Sequence, residues 1–210
     1  KRMYKRDENG QIIMKNGVPV FTTDEQYSLD HPIGNIQPDL LMSVTPSFTY
    51  KGFTLSALFD MKFGGDVVSV SEAIATIHGI SKRTEQRGEL LLPGVNEDGT
   101  VNTQRIDAQL FYQAVGGRQQ AVAEEFVYDA SFIRLKEISF GYSFPSLLLR
   151  KTPVSSLRVS FVGRNLAYLM KHTPGTSPEG GYDTSMFSQA LDFSSLPYSR
   201  TFGFSINVGF

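Results

Sequence analysis

The chain has 210 residues with 20 basic and 21 acidic side chains, so its net charge of −1 gives no electrostatic reason to expect nucleic acid as a partner. It contains no cysteine, which excludes a disulfide framework, a thiolate metal site and a cysteine nucleophile. No stretch approaches roughly 18 uninterrupted apolar residues, so a transmembrane helix is excluded. Aromatic residues make up 12% of the chain, which favours strands over helices.

Residues 1–39 are polar and rich in turn signals. Residues 7–10 and the pair Asn16-Gly17 flank the short apolar stretch 12–14, which predicts a small hairpin. The pairs His31-Pro32 and Gln37-Pro38 predict extended or turning backbone in the stretch that follows.

Five later stretches alternate apolar and polar residues, as the two faces of a strand require. We predict strands at 40–50, 53–63, 131–144, 155–166 and 197–210. Pro46 disturbs the first strand because it has no backbone N–H. Lys51-Gly52 predicts a short turn between the first two strands. In the third, Ile133 and Leu135 have the opposite parity to Ile138, and a bulge near Lys136-Glu137 would reconcile them.

The connections alternate between short and long. Residues 145–154 form a compact turn, whereas 64–130 and 167–196 are long. We expect two short helices in the first long connection, at about 71–78 and 105–115. Connections of this length usually carry function or disorder.

Alternating strands of about ten residues with unequal connections are typical of a transmembrane β-barrel. The polar parity carries mainly Ser, Thr, Gly, Asn and Arg, as a wet lumen requires, and it includes Asp60, Lys62 and Arg158. Arg134 and Lys136 share a parity with Phe132, so they must lie above the apolar band or beyond the bulge. A soluble half-buried sheet gives the same alternation and stays open as an alternative. Because five strands cannot close a barrel and open edges are costly in lipid, the membrane interpretation makes this chain part of a larger barrel.

Several segments resemble the C-terminal end of the SusC/RagA family of TonB-dependent outer-membrane transporters. They are residues 33–39, 50–55, 64–66, 93–95, 131–136, 141–145, 164–166 and 200–210. The resemblance implies an all-β fold, in which this chain supplies about five antiparallel strands of a 22-stranded transmembrane barrel. It also implies that residues 1–39 are an extracellular loop segment and that 40–210 are the C-terminal barrel portion, with 64–130 and 167–196 as extracellular loops. Strands 40–50, 131–144 and 197–210 would run towards the periplasm, 53–63 and 155–166 away from it, with periplasmic turns at Lys51-Gly52 and 145–154.

The family takes up oligosaccharides or peptides with energy from the TonB complex, beneath a surface lipoprotein lid of the SusD type. The resemblance therefore implies that this chain belongs to such an importer in the cell outer membrane. Its partners would be a SusD-like lipoprotein, the TonB complex, outer-membrane lipid and an oligosaccharide or peptide substrate. The family's TonB box and plug lie outside the segments matched here, so energy coupling is assigned to no residue of this chain. The alternative is a soluble carbohydrate-binding β-domain.

The last strand resembles the signal that outer-membrane assembly machinery reads. Its lipid-facing residues would be Phe202, Phe204, Ile206, Val208 and Phe210. A hydrophobic sheet strand at the end of the chain would show the same pattern.

The other candidates are weaker. Phe111, Tyr112, Tyr182 and Phe187 could stack on sugar rings, but packing of the loops on themselves is the simpler interpretation. Asn96, Asp98 and Gly99 lack the downstream acid of a calcium loop, and His31, His78 and His172 lack zinc-site spacing. Glu124, Glu125 and Asp183 are interpreted as surface charges. We therefore expect no enzyme activity, no metal and no cofactor.

Overall fold

A computed structural model describes residues 2–175, 177–179, 181–182, 188–196 and 198–210. The chain divides into two compact units. The strand unit comprises Gln37–Gly65, Ala130–His172 and Pro197–Phe210. The loop unit comprises Lys1–Ile36, Asp66–Asp129 and Thr173–Leu196.

The strand unit is one antiparallel sheet. Its strands are β1 (Leu40–Val44), β2 (Ser47–Tyr50), β3 (Phe53–Phe63), β4 (Phe132–Ser143), β5 (Ser156–Lys171) and β6 (Thr201–Gly209). The order across the sheet is β6-β5-β4-β3, and both β1 and β2 pair with the free edge of β3. Every pairing in this sheet is antiparallel, so the predicted all-β antiparallel arrangement is confirmed.

Pro46 separates β1 from β2. The pairing with β3 is lost only at Thr45 and Pro46, because the proline nitrogen has no hydrogen to donate. The Pro46 carbonyl still accepts a 3.1 Å bond from the Ala57 N–H, which keeps the two strands in one register. The predicted single strand 40–50 is therefore two short ones.

Three register irregularities set the side-chain phase of the sheet, one of them between Ile133 and Arg134 of β4. Leu135 pairs with Phe59 and Glu137 with Leu58, so Lys136 is an extra residue of β4, as the sequence predicted. Another irregularity lies in β5 at Asn165, which has a left-handed φ of 54°. Beyond it the pairing with β4 continues, and β5 ends at Lys171 instead of the expected residue 166.

The short connections are tightly defined. Lys51 and Gly52 have φ values of 45° and 86°, which is the backbone of a two-residue hairpin that matches the twist of β2 and β3. Between β4 and β5, the expected compact turn contains the short helix Ser146–Leu149, which follows Pro145.

The loop unit combines short helices with small sheets. Its helices are Glu25–Asp30, Val70–Ile77 and Ala108–Val115, with 3-10 turns at Lys82–Glu85 and Ala123–Phe126. Its strand pairs are Met3–Tyr4 with Phe21–Thr22, and Glu89–Leu91 with Arg105–Asp107. Two three-stranded sheets join Ile13–Lys15 with Val18–Pro19 and Val95–Asn96, and Asp66–Ser69 with Val127–Asp129 and Leu191–Asp192.

The structure tests three local predictions in this unit. The hairpin around residues 12–14 is confirmed, with Asn16 and Gly17 at its turn. The helix expected at 71–78 is Val70–Ile77, and the Ser69 hydroxyl caps it by accepting from the Glu72 N–H. The helix expected from residue 105 begins only at Ala108, because Asp107 caps it and residues 105–107 pair as a strand.

A hydrophobic core holds the loop unit together. Its fully buried members include Val115, Val122 and Phe126. Among the described residues, no helix is long and apolar enough to cross a bilayer.

Candidate functional site

One face of the sheet is apolar, and we call it the apolar face. Leu55, Phe140, Phe161 and Phe204 are register partners across four strands. The next row towards the Lys51-Gly52 turn is formed by Phe53, Tyr142, Val159 and Ile206. Every second residue thus contributes to one continuous apolar surface.

The apolar face is open on the side away from the backbone. Phe202, Phe204 and Ile206 are 63%, 80% and 65% exposed. The rings also pack along the face, since Phe161 lies 6.0 Å from Phe202 and 5.3 Å from Phe204 between ring centroids. A surface this apolar needs a cover of protein or lipid, because soluble monomers rarely leave such patches in water.

The opposite face, which we call the polar face, carries small and hydroxylated residues. Thr54, Gly141, Ser160 and Ser205 form one cross-strand row. Arg158 and Asn207 are partners in the next row. The sequence alternation therefore corresponds to two chemically distinct faces of one sheet.

A charged cluster occupies the polar face near the bulge. Arg134 Nη2 and Lys136 Nζ each lie 3.0 Å from Asp60 Oδ2, and the Ser43 hydroxyl donates to Asp60 Oδ1 at 3.0 Å. Arg134 is a register partner of Asp60, so it lies on the polar face, and Lys136 is the extra residue of the bulge. The bulge thus explains why Arg134 and Lys136 lie on the polar face although they share a parity with Phe132.

Arg134 is held on several sides. It is only 5% exposed, and its guanidinium carbon lies 5.8, 5.9 and 5.5 Å from the ring centroids of Phe132, Tyr168 and Tyr198. Cation–π contacts of this kind add to the ion pair with Asp60. On the next row, Arg164 Nε lies 2.8 Å from Glu137 Oε2.

The two units carry opposite charge. The strand unit has ten basic and three acidic residues, a net charge of +7. The loop unit has ten basic and 18 acidic residues, a net charge of −8. The near-neutral total of the chain therefore hides a strong segregation that the sequence reveals only once the residues are assigned to units.

The candidate assembly signal lies on the edge strand β6. Phe202, Phe204, Ile206 and Val208 share the apolar face, and Phe210 directly follows the strand and is 88% exposed. The structure therefore groups the four residues of β6 on one surface, and recognition of all five by assembly machinery stays a prediction.

The loop aromatics have different surroundings. Phe111 and Tyr112 are each 8% exposed in the loop-unit core, and the Tyr112 hydroxyl donates to the Arg83 carbonyl at 2.9 Å. Tyr182 is 56% exposed and meets Phe193 edge-on. Phe187, like Asp183, lies outside the described residues. Phe111 and Tyr112 therefore pack inside the loop unit, as the simpler of the two interpretations predicted.

The 96–99 loop is a tight turn between paired residues. The Asp98 carboxylate accepts bonds from the Thr100 N–H and hydroxyl, which lower the pKa of Asp98. His31 stacks on Tyr27, and His78 follows the helix Val70–Ile77. Within the described part of the chain, no three His, Cys, Asp or Glu residues converge as metal ligands would.

Glu124 and Glu125, expected as plain surface charges, instead join the loop unit's N-terminal segment to its second half. Glu124 accepts from the Tyr4 N–H at 2.6 Å and pairs with Arg6 at 2.5 Å. Glu125 accepts from the Tyr4 hydroxyl at 2.6 Å and pairs with Arg83. Burial and the charge of Glu125 raise the pKa of Tyr4 above its ordinary value. No sequence signal places these partners together.

Comparisons with known proteins point to one kind of protein. No protein-family model matches the chain. The chain is 30% identical over 183 residues to the TonB-dependent receptor P3 of Formosa agariphila, a match that spans 85% of this chain and 17% of that protein.

Solved structures agree in fold. The RagAB peptide importer in its open-open state matches with a TM-score of 0.62 and 21% identity, over 100% of this chain and 22% of that chain. Its closed-closed state matches with a TM-score of 0.57 and 18% identity, over 99% of this chain and 21% of that chain. The chain thus spans about a fifth of these relatives, and its sheet is the corresponding part of their transmembrane β-barrel. The chain therefore belongs to the SusC/RagA type of TonB-dependent receptors, of which it represents the C-terminal part.

Proposed function

We propose that this chain forms the C-terminal wall of a TonB-dependent importer in the cell outer membrane. The observation that carries the proposal is the apolar face, whose exposed rings on β6 continue through β5, β4 and β3 in register. Lipid tails would cover this face, and the polar face would line the water-filled interior.

The two faces satisfy the physical demands of a bilayer. A charged side chain towards lipid costs about 2 to 4 kcal/mol at the midplane. Asp60, Arg134, Arg158 and Arg164 instead lie on the polar face, by their register partners and contacts. A soluble carbohydrate-binding β-domain would need a protein layer over the apolar face, which favours the importer.

The substrate would be an oligosaccharide or a peptide, taken up beneath a SusD-like surface lipoprotein with energy from the TonB complex. The resemblance to SusC/RagA proteins supports this part, and the similar structures are those of a peptide importer. The loop unit, which lies within the segments 1–39, 64–130 and 167–196, would face the outside of the cell. Homology to receptors and transporters supports a role without enzyme activity.

Single cysteines test the orientation of the two faces, because this chain has none of its own. Phe204→Cys and Ser205→Cys are adjacent in β6 but lie on opposite faces. In the full-length receptor in native membranes, a water-soluble maleimide should label Ser205→Cys and a lipid-soluble maleimide Phe204→Cys. Equal labelling of both by the water-soluble reagent would refute the membrane orientation.

Two further experiments test location and assembly. Glu97→Cys should react with an impermeant maleimide on intact cells, whereas Lys151→Cys should react only after the outer membrane is opened. Deletion of Phe210 from the full-length receptor should reduce the fraction with heat-modifiable migration on a denaturing gel. An unchanged fraction would remove Phe210 from the assembly signal.

A further inference from the structure

Three basic side chains lie in the turns at one end of the sheet. Lys51 belongs to the hairpin between β2 and β3, and Arg150 and Lys151 follow the short helix between β4 and β5. We propose that these three residues, the turn cations, bind the anionic headgroups of phospholipids in the periplasmic leaflet of the outer membrane. The inference rests on the proposed function, which covers the apolar face with lipid, and on the orientation that places both turns on the periplasmic side.

The backbone brings the two turns together. The Ser143 N–H at the end of β4 donates to the Gly52 carbonyl at 2.8 Å. The hairpin turn that carries Lys51 therefore lies next to the start of the segment that carries Arg150 and Lys151. All three cations extend from the same end of the antiparallel sheet.

This end of the sheet carries no acidic side chain. The strand ends and both turns contain neither Asp nor Glu throughout 46–57, 139–160 and 204–210. All three turn cations are exposed, and within the described residues no acid lies within ion-pair distance of them. Exposed cations that the surrounding strands do not neutralise attract anions.

The three acids of the strand unit lie elsewhere in the sheet. Asp60 and Glu137 pair with cations on their own neighbouring strands. The Asp39 N–H donates to the carbonyl of Phe63, the last residue of β3, at 2.9 Å, so Asp39 lies at the opposite end of that strand from the hairpin turn. The positive charge of the turns is therefore local and is not shared with these carboxylates.

Aromatic rings mark the boundary between the apolar face and the turns. Tyr50 and Phe53 are register partners and are exposed on this face. Ring centroids are 4.5 Å apart between Phe53 and Tyr142 and 5.0 Å apart between Tyr142 and Phe144. The Lys51 ammonium lies 5.2 Å from the centroid of the Tyr50 ring. Because aromatic girdles lie at the level of the headgroups in membrane barrels, this contact places Lys51 at headgroup depth.

Apolar side chains accompany the other two cations. Leu147 and Leu148 are 71% and 66% exposed, and Arg150 and Lys151 follow them directly in the chain after Leu149. Exposed apolar residues beside basic ones are typical of segments that lie at the boundary between headgroups and acyl chains of anionic membranes. A phospholipid supplies both a negative phosphate and an acyl chain, whereas a free anion supplies only the charge.

Native mass spectrometry of the full-length receptor in nonionic detergent tests the inference. Two probes are phosphatidylglycerol and phosphatidylcholine with the same acyl chains, so they differ in the net charge of the headgroup. The third probe is glycerol phosphate, which carries the charged headgroup without the chains.

The test variant and its control remove the same charge from different parts of the chain. The test variant combines Lys51→Gln, Arg150→Gln and Lys151→Gln. The control takes two lysines and one arginine from exposed positions of the loop unit, and combines Lys5→Gln, Lys15→Gln and Arg105→Gln.

We expect phosphatidylglycerol to bind more tightly than phosphatidylcholine, and its affinity to fall as salt is raised from about 50 to about 300 mM. A basic residue near an anionic membrane surface strengthens attachment about fivefold, so the test variant should bind phosphatidylglycerol at least about tenfold more weakly. Its affinity for phosphatidylcholine should stay unchanged, as should both affinities of the control. Glycerol phosphate should not displace phosphatidylglycerol, because the acyl chains contribute to binding.

Four outcomes overturn the inference. Three are equal affinities for the two lipids, unchanged affinity for phosphatidylglycerol in the test variant, and displacement by glycerol phosphate, which would indicate a site for a soluble anion. The fourth is a test variant whose heat-modifiable migration is lost at a lower temperature by the same amount in both lipids, because the turn cations would then pair with another segment of the receptor.

Fractionation of the same preparations separates this inference from the proposed function. A receptor that assembles in the outer membrane but gives one of these four outcomes refutes only the lipid site. A protein that fractionates as soluble refutes the importer as well.

Discussion

Placing a charge on the apolar face tests the membrane interpretation most directly. Phe204 is 80% exposed, so about 160 Å² of an aromatic side chain of about 200 Å² is available to lipid. At about 25 cal/mol/Å², this contact contributes about 4 kcal/mol to the membrane-inserted state. An arginine in its place loses that contribution and costs about 2 to 4 kcal/mol more near the midplane.

The expected penalty for Phe204→Arg is therefore about 6 to 8 kcal/mol, if the position lies near the middle of the bilayer. Ser205→Arg is the matched control, since it adds the same charge to the neighbouring residue on the polar face. Repulsion between the new arginine and Arg158 in the adjacent row should destabilise the Ser205→Arg variant by no more than about 1 kcal/mol.

The assay is the fraction of full-length receptor in the outer-membrane pellet that shows heat-modifiable migration. Phe204→Arg should assemble poorly, Phe204→Ala should be intermediate, and Ser205→Arg should resemble the unmodified protein. A soluble sheet would behave differently, because an arginine at an exposed aromatic position improves solubility in water. Equal assembly of Phe204→Arg and Ser205→Arg would refute the assignment of the two faces.

Three further predictions concern single contacts. Asp60→Asn removes the carboxylate that pairs with the buried Arg134 and should destabilise the barrel by about 3 to 5 kcal/mol, whereas Lys136→Gln should cost at most about 1 kcal/mol. The temperature at which heat-modifiable migration is lost measures both effects, and equal shifts of this temperature would contradict the burial argument. Asn165→Gly should be tolerated and Asn165→Val should cost more than about 1 kcal/mol, because φ at this position is 54°. The temperature at which heat-modifiable migration is lost measures this difference as well, and equal temperatures for the two variants would count against backbone strain. The raised pKa of Tyr4 stabilises the loop unit below about pH 10, and this contribution is lost as pH rises further, since the folded state disfavours the phenolate. Limited proteolysis of the loop unit should accelerate above that pH in the unmodified protein and much less in Tyr4→Phe, and identical pH profiles would refute the role of this hydroxyl.

Local patterns in the sequence determined the strands and their faces. The alternation in 53–63 has a period of two, which is the period of a pleated strand, so it predicts two faces without knowledge of the partners. Lys51-Gly52 and the parity change at Lys136 likewise predict a turn and a bulge, because both are properties of adjacent residues. The family resemblance rested on short segments of the same local kind.

The tertiary structure decided which distant residues meet. Arg134 finds Asp60 across 74 positions, and the Tyr4 hydroxyl finds Glu125 across 121. The end of β5 at Lys171 and the start of the helix at Ala108 were also set by strand pairing rather than by local propensity. Segregation of charge into a basic strand unit and an acidic loop unit emerged for the same reason, since non-contiguous segments make up each unit and only folding brings them together.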